Sequence, residues 1–239
     1  MEIIDGRVRL RTKQLLKAWT SELKPFFKDY ISLYKMEKRL TTMSVKDLID
    51  HASKSGIKKM VVCGGNKADN DHITKIAQEF NEIIPVGGVS VSTGLKAALN
   101  EIKRCSELGV SAINMSPFMV KLNANDKKLY PIYGLCELLN KPIIIHGSLH
   151  YWREAYIMHG HPMFIDEVAV DFPELKIIIS HGGNGFDSSV LPVAQRHPNV
   201  FLEFSALRPK YIDHRFIHAA NTYLKNKCIF GTDYPLIEF

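Results

Sequence analysis

Three side chains able to hold a metal or move a proton, His146, His181 and Asp233, each follow a short apolar run of the chain. A single histidine at the end of a buried strand is usually a hydrogen-bonded core residue. Two histidines and an aspartate at the same level of neighbouring strands instead indicate a functional site. Two histidines and one aspartate also have the ligand types of a catalytic zinc centre, which keeps one position open for water.

The opening of the chain supplies Asp5, Arg7 and Arg9 on alternate residues. If the first strand continues that far, these side chains lie on one face of it. Arginine suits carboxylate recognition, because its guanidinium group donates two parallel hydrogen bonds. We therefore predict that Arg7 and Arg9 bind substrate, and that at least one of them lies near a carboxylate, Asp233 or Asp5.

The loop after the fifth apolar run carries His150 and Arg153, which we predict to contact substrate, because loops beside a site often do so. Packing of this loop on its own aromatic residues is an equal alternative. His159 and His161 have the spacing of a metal-binding pair, but His161 precedes a proline at a helix start, which favours a capping role. Glu203 points inward only if strand alternation continues to that residue.

Eight apolar runs rich in Ile and Val alternate with segments in which apolar residues recur with the helical period of 3.6. Near-continuous apolar runs are typical of strands buried on both faces of a parallel sheet. Ser44 as a helix N-cap and Gly56 and Gly109 after helix ends agree with this alternation. The predicted strands are residues 2–4, 59–63, 83–89, 110–115, 142–146, 176–181, 199–204 and 227–231.

This alternation predicts one (β/α)₈ TIM-type barrel domain over residues 1–239, with its active site at the carboxyl ends of the strands. A doubly wound sheet is the alternative, but the chain lacks the glycine-rich phosphate turn expected after its first strand. The barrel is predicted to be distorted, because an insertion at about 11–43 follows strand one and the last helix is lacking. The insertion carries Trp19, Phe26, Phe27, Tyr30 and Tyr34.

The composition, with 46% hydrophobic and 23% charged residues, is that of a soluble globular protein. No apolar stretch has the length of a membrane span, and no signal peptide is recognisable, so we expect a cytoplasmic protein with no membrane partner. The net charge is +6, but the excess lies in residues 7–59, which hold 14 basic and 5 acidic residues. Because nucleic-acid motifs are missing, we expect a solvated basic face and no nucleic-acid partner. The four scattered cysteines are expected to be reduced core thiols.

Six segments taken together resemble the amidohydrolase superfamily, in the amidohydrolase-related branch that contains aminocarboxymuconate-semialdehyde decarboxylase. They are residues 3–5, 143–147, 161–162, 168–176, 179–183 and 231–235. The resemblance runs over essentially the whole chain and implies a metal-dependent hydrolase or decarboxylase on a distorted barrel. It also implies that His146, His181 and Asp233 face the metal, with zinc the expected ion, and that Asp233 doubles as general base or proton shuttle.

The first strand departs from the family pattern Asp-x-His-x-His, because Arg7 and Arg9 stand where the two histidine ligands are expected. A guanidinium group offers no lone pair to a metal, and its charge repels a dication. Three outcomes stay open. The remaining residues hold one weakly bound metal; or an arginine replaces the metal's charge by pairing with Asp233 and gripping an anionic substrate, as metal-independent members acting on carboxylated lactones suggest; or the site is inactive.

The predicted function is hydrolysis or decarboxylation of a small carboxylated substrate, with at most one metal and with Asp233, His181 and His146 as catalytic residues. The alternative is a catalytically inactive barrel that serves as a ligand-binding or assembly protein. The outward face of the last strand needs a covering layer. We expect the segment 11–43, or the same region of a second subunit, to cover it, and hence a homodimer.

Overall fold

The structure is a computed structural model, and it describes residues 2–20, 31–33 and 35–239. Eight parallel strands follow one another around the sheet in chain order, which confirms the predicted TIM-type barrel. The strands are β1 (Ile3–Val8), β2 (Ile57–Cys63), β3 (Ile83–Gly88), β4 (Ala112–Met115), β5 (Ile143–His146), β6 (Ile177–Ser180), β7 (Val200–Phe204) and β8 (Cys228–Phe230).

Helices separate the strands, and their apolar faces pack on the outside of the barrel. They are α1 (Lys13–Thr20), α2 (Val45–Lys54), α3 (Lys67–Glu79), α4 (Leu95–Glu107), α5 (Tyr130–Leu138), α6 (Met163–Asp171), α7 (Asp187–Arg196) and α8 (His214–Asn221). Ser44 caps α2 by accepting a hydrogen bond from the Asp47 N–H at 3.0 Å. Gly56 and Gly109 have φ of 80° and 78° after α2 and α4, as their predicted positions require.

The strand register brings the polar ends of β5, β6 and β7 to one level. His146 lies beside Ser180, and Ser180 lies beside Glu203. Val200 and Leu202 belong to the main core cluster together with helical residues. Because side chains alternate along a strand, Glu203, the residue after Leu202, faces the barrel interior.

β1 runs four residues beyond the end predicted for it, and this extension closes the barrel. Its Val8 forms a parallel bridge with Tyr234, past the end of β8. Asp5 is fully buried, and its carboxylate accepts hydrogen bonds from the Thr232 N–H at 3.0 Å and the Thr232 hydroxyl at 2.6 Å. The polar residues that made this stretch look unlike a strand are thus paired with partners distant in the chain.

The outward faces of β1 and β8 are open to solvent: Ile4 is 47% and Phe230 52% exposed. In the described ranges no helix follows β8. The described part of the insertion packs on the segment after β8, where Ile31 and Met36 form a small core with Leu236. Of the insertion's aromatic residues, Phe26, Phe27, Tyr30, Tyr34 and the Trp19 side chain lie outside the described residues. Within those same ranges, no helix is long and apolar enough to span a bilayer.

Candidate active site

The carboxyl ends of the strands surround a cavity of about 440 Å³. That volume is in the range of small-molecule sites. Six of the seven side chains predicted for the site line it: Arg7, Arg9, His146, His150, His181 and Asp233. The seventh, Arg153, is exposed and lines a separate depression with Ser32, Leu33 and Tyr151. Arg153 does not line the cavity itself, although its neighbour Tyr151 lines both, and its contact with substrate stays a prediction.

Three non-glycine residues at the mouth of the barrel have left-handed backbones. They are His181 after β6, Ala206 after β7 and Asp233 after β8, with φ of 60°, 60° and 57°. This conformation costs a residue with a side chain about 1–2 kcal/mol. Such strain is concentrated at functional sites, where the surrounding structure enforces it. The strained positions therefore agree with a site at these three strand ends.

His146 and His181 lie together on the cavity wall, with ring centroids 5.1 Å apart and planes at 63°. Ser205 Oγ lies 2.8 Å from Nδ1 of His181, and Ser148 Oγ lies 3.3 Å from Nε2 of His146. Nδ1 of His146 is buried and has no hydrogen-bond partner among the described residues. Burial lowers the pKa of both imidazoles well below the usual value, and positive charge on neighbouring groups adds to the effect. Both rings are therefore neutral at pH 7 and available as proton acceptors.

Arg9 and Asp233 form a two-bonded ion pair at the edge of the cavity. Nε of Arg9 donates to Oδ1 of Asp233 at 2.6 Å, and Nη2 donates to Oδ2 at 3.2 Å. The Asp233 side chain is 1% exposed and that of Arg9 34% exposed. The pair therefore joins the continuation of β1 to the turn after β8. The carboxylate is buried, and the guanidinium is partly exposed to solvent.

A second ion pair, between Arg7 and Glu203, lies deeper in the barrel. Nε of Arg7 donates to Oε2 of Glu203 at 2.8 Å, and both side chains are buried. Nη1 of Arg7 lies 3.8 Å from Sγ of Cys63, whereas Nη2 has no hydrogen-bond partner in the described part of the chain. Burial raises the pKa of Glu203, which the charge of Arg7 partly offsets.

Sequence reasoning gave little weight to Glu203 and none to Cys63 as site residues. The usable signal for Glu203 was strand parity, because Val200 and Leu202 both face the helices and so place Glu203 inside. Cys63 ends β2 at the cavity wall, where its thiol contacts Arg7. Nothing in the local sequence distinguishes this cysteine from a core thiol.

His150 and His161 make local packing and hydrogen-bond contacts. His150 stacks on Phe118, with ring centroids 4.4 Å apart and planes at 9°, and its Nε2 lies 2.9 Å from the Tyr156 carbonyl. His161 accepts a hydrogen bond from the Met163 N–H at 3.2 Å at the start of α6. The N-cap of α6 is Pro162, so His161 lies one residue before the cap and binds the first N–H of the helix.

The side chains predicted to hold a metal do not fit one in this arrangement. Both carboxylate oxygens of Asp233 accept hydrogen bonds from Arg9. The buried guanidinium of Arg7 adds a second positive charge beside the two imidazoles. Among the described residues, no three His, Cys, Asp or Glu side chains are grouped so as to hold one metal ion. The expected ligand set of His146, His181 and Asp233 is thus divided, because Asp233 pairs with an arginine.

Comparison with known proteins gives one family and one curated relative. Residues 47–239 match the family described as amidohydrolase. A 2-amino-3-carboxymuconate-6-semialdehyde decarboxylase of Dictyostelium discoideum is 24% identical over 200 residues, which cover 70% of this chain and 55% of that protein. The chain thus spans about half the length of this relative.

Solved structures with the same fold include a TIM-barrel protein of Bordetella bronchiseptica, 24% identical, with a TM-score of 0.82 over 100% of this chain and 88% of that one. Another is a 5-carboxyvanillate decarboxylase of Novosphingobium aromaticivorans in complex with manganese and 4-hydroxy-3-methoxy-5-nitrobenzoic acid. It is 14% identical, with a TM-score of 0.74 over 100% of this chain and 87% of that one. At these identities the likeness shows the fold.

Proposed function

The chain belongs to the amidohydrolase family, and from this membership we propose that it is an enzyme that hydrolyses or decarboxylates a small carboxylated substrate in the barrel cavity. The observation that carries the proposal is Arg7, which is buried beside the cavity and has one guanidinium nitrogen without a partner among the described residues. A buried charged donor without an acceptor is costly. An oxygen of a bound carboxylate or a developing oxyanion would supply that acceptor.

Hydrolysis in this cavity needs a proton acceptor beside a cationic wall. As the oxygen of water bonds to the substrate carbonyl carbon, a proton passes to His146, His181 or Asp233 and is then delivered to the leaving group. Arg7 and Arg9 hold the substrate anion and stabilise the charge that develops on the carbonyl oxygen. Each imidazole has one ring nitrogen with a lone pair, because burial lowers the pKa and keeps the ring neutral, and that nitrogen accepts the proton in the first of these transfers.

Decarboxylation uses the same groups in a different order. The bond between the substrate carbon and its carboxyl group breaks and CO₂ leaves. The electron pair remaining on the carbon takes a proton that comes from solvent by way of His146 or His181. Cationic groups assist by stabilising the negative charge before that protonation. The Dictyostelium relative, whose match covers 70% of this chain, is named as a decarboxylase.

Manganese in the Novosphingobium decarboxylase belongs to that protein. For this chain, zinc stays an expectation from the resemblance, and neither reaction is assigned a metal-dependent step, because Asp233 is paired with Arg9.

The exposed Ile4 and Phe230 support the proposal of a homodimer, which sedimentation at several concentrations would test. The cytoplasmic location also stays a proposal. No observation favours an inactive barrel.

A screen of carboxylated aromatic acids, esters and lactones tests the function, with CO₂ and acid release measured separately. Arg7→Lys keeps the positive charge but loses the planar guanidinium group, which can donate two parallel hydrogen bonds. We therefore expect turnover to fall at least about tenfold. Arg196→Lys is the matched control, because Arg196 is a surface residue paired with Asp166, and turnover should not change. The proposal fails if no carboxylated compound is bound or converted, or if Arg7→Lys leaves turnover of an identified substrate unchanged.

A further inference from the structure

Building on the proposed function, we infer that Arg7, clamped by Glu203, is a permanent cationic centre that takes the place of a metal ion in this barrel. Glu203 is its positioning residue. The resemblance to the family predicts a metal ion in the cavity. The contacts of this chain instead indicate that a guanidinium group supplies the positive charge there.

Arg7 lies among the groups that would otherwise gather around a metal. It lines the same cavity as His146, His181 and Asp233. The Asp233 N–H donates a hydrogen bond to the carbonyl oxygen of Arg7 at 2.8 Å, which fixes the two residues side by side. A positive charge thus already stands in this cavity, and a dication entering it would be repelled.

Glu203 holds Arg7 in a tightly built recess. The Nε–Oε2 distance is 2.8 Å, and the two side chains are 6% and 2% exposed. A Cβ atom at Gly231 would lie 2.7 Å from Oε1 of Glu203, and one at Gly6 would lie 2.8 Å from the Phe230 carbonyl oxygen. The backbones of β1 and β8 therefore close on the ion pair as far as glycine allows. A recess of this shape keeps the guanidinium in one orientation.

The second arginine removes the anionic ligand that a metal would need. Arg9 occupies both oxygens of Asp233, so a metal at the two imidazoles would have to displace it. His146 and His181 alone offer two neutral nitrogens, fewer than the three protein ligands usual in a catalytic zinc site. Two arginines thus account for the missing metal site, one by its charge and one by its hydrogen bonds.

Metal titration tests the replacement without any substrate, and therefore separately from the proposed function. Chelator-treated protein is titrated with Mn²⁺ and with Zn²⁺ by calorimetry, and the His146→Ala/His181→Ala variant serves to subtract surface binding. We expect no difference between these two proteins. The inference is overturned if the unmodified chain binds one metal ion per chain at micromolar Kd and the double histidine variant does not.

The restoring variant, Arg7→His/Arg9→His, gives the opposite signal if it folds. Two imidazoles would replace the two guanidinium groups, and we expect its Mn²⁺ or Zn²⁺ affinity to rise at least tenfold over that of the unmodified protein. A folded double variant with unchanged metal affinity would count against the inference. If that variant does not fold, the comparison of the unmodified protein with the histidine variant still decides.

The positioning role of Glu203 is read from the Arg7 side chain itself. In ¹⁵N-labelled protein, Nε–H of Arg7 should give a resonance protected from hydrogen exchange, assigned by its loss in Arg7→Lys. Glu203→Gln keeps the shape of the side chain but removes the charge, so we expect protection to fall at least tenfold at an unchanged fold. Protection equal to that of the unmodified protein, in a folded Glu203→Gln variant, would show that Glu203 does not position Arg7.

Discussion

Arg9 and Asp233 are joined by two hydrogen bonds, of 2.6 and 3.2 Å, across the seam between the first and last strands of the barrel. The bridge that closes the sheet is formed by their chain neighbours, Val8 before Arg9 and Tyr234 after Asp233. The same contact therefore contributes to barrel closure and determines what Asp233 can do in the cavity. Stability and chemistry are coupled at this point.

Removal of Arg9 should destabilise the fold through the aspartate that it leaves behind. Arg9→Met leaves a nearly fully buried carboxylate unpaired, and we expect a loss of about 1–3 kcal/mol in the free energy of unfolding. This is less than the roughly 3–5 kcal/mol for a fully buried pair, because Arg9 is one-third exposed and solvent screens its charge. Adding Asp233→Asn to the Arg9→Met variant should recover part of the lost free energy of unfolding. Urea unfolding of both single variants and the double variant measures the coupling, and strictly additive losses would contradict the pairing.

Gly231 and Gly134 should respond in opposite ways to the same substitution. Gly231→Ala puts a Cβ atom 2.7 Å from Oε1 of Glu203 and 3.2 Å from Cβ of Ser205, so we expect a loss of about 1–3 kcal/mol. Gly134→Ala, inside α5, meets only Phe172 at 3.7 Å and should gain about 0.5–1 kcal/mol. Thermal unfolding compares the two, and equal effects would contradict the tight recess around Glu203.

The buried imidazoles should make the protein less stable in acid. Because the folded-state pKa of His181 is lowered, the unfolded chain binds its proton first, and stability falls as pH drops below about 6.5. The slope reaches about 1.4 kcal/mol per pH unit for one such group. His181→Asn tolerates the left-handed backbone and does not titrate. Its unfolding free energy should therefore vary less between pH 6.5 and 5 than that of the unmodified protein; parallel curves would be the contrary result.

Cys63 should report occupancy of the cavity. Its thiol lines the cavity beside Arg7, whereas Cys228 is absent from the cavity lining. Burial raises the pKa of Cys63 and raises that of Cys228 to about 11, so alkylation by iodoacetamide should be slow at pH 7 and faster at pH 9. Benzoate as a probe carboxylate should slow alkylation of Cys63 and leave Cys228 unchanged. Peptide mass spectrometry follows both sites, and equal protection would indicate an effect outside the cavity.

Much of the fold followed from local patterns. The Ile-rich runs at 143–145 and 177–179 have to be buried on both faces, and the helical period between such runs leaves a parallel barrel as the natural arrangement. β1 is longer than the apolar pattern predicts, because Asp5 and Arg7 interrupt that pattern. Their partners, Thr232 and Glu203, lie about two hundred positions away in the chain, so no local window contains the reason that they are buried.

The amino-acid sequence by itself determined that Arg7, His146, His181 and Asp233 lie at the carboxyl ends of the strands, because strand order and the alternation of side chains follow from hydrophobic periodicity. It also determined that a second arginine, Arg9, accompanies Arg7 there. Only the tertiary structure decided which carboxylate each arginine takes: Arg9 takes Asp233, and Arg7 takes Glu203. These choices depend on the register and closure of β1 against β7 and β8. The energy of a charge–charge contact changes steeply with a few ångströms of separation in a buried site, whereas the pattern of polar and apolar residues is the same whichever carboxylate is paired.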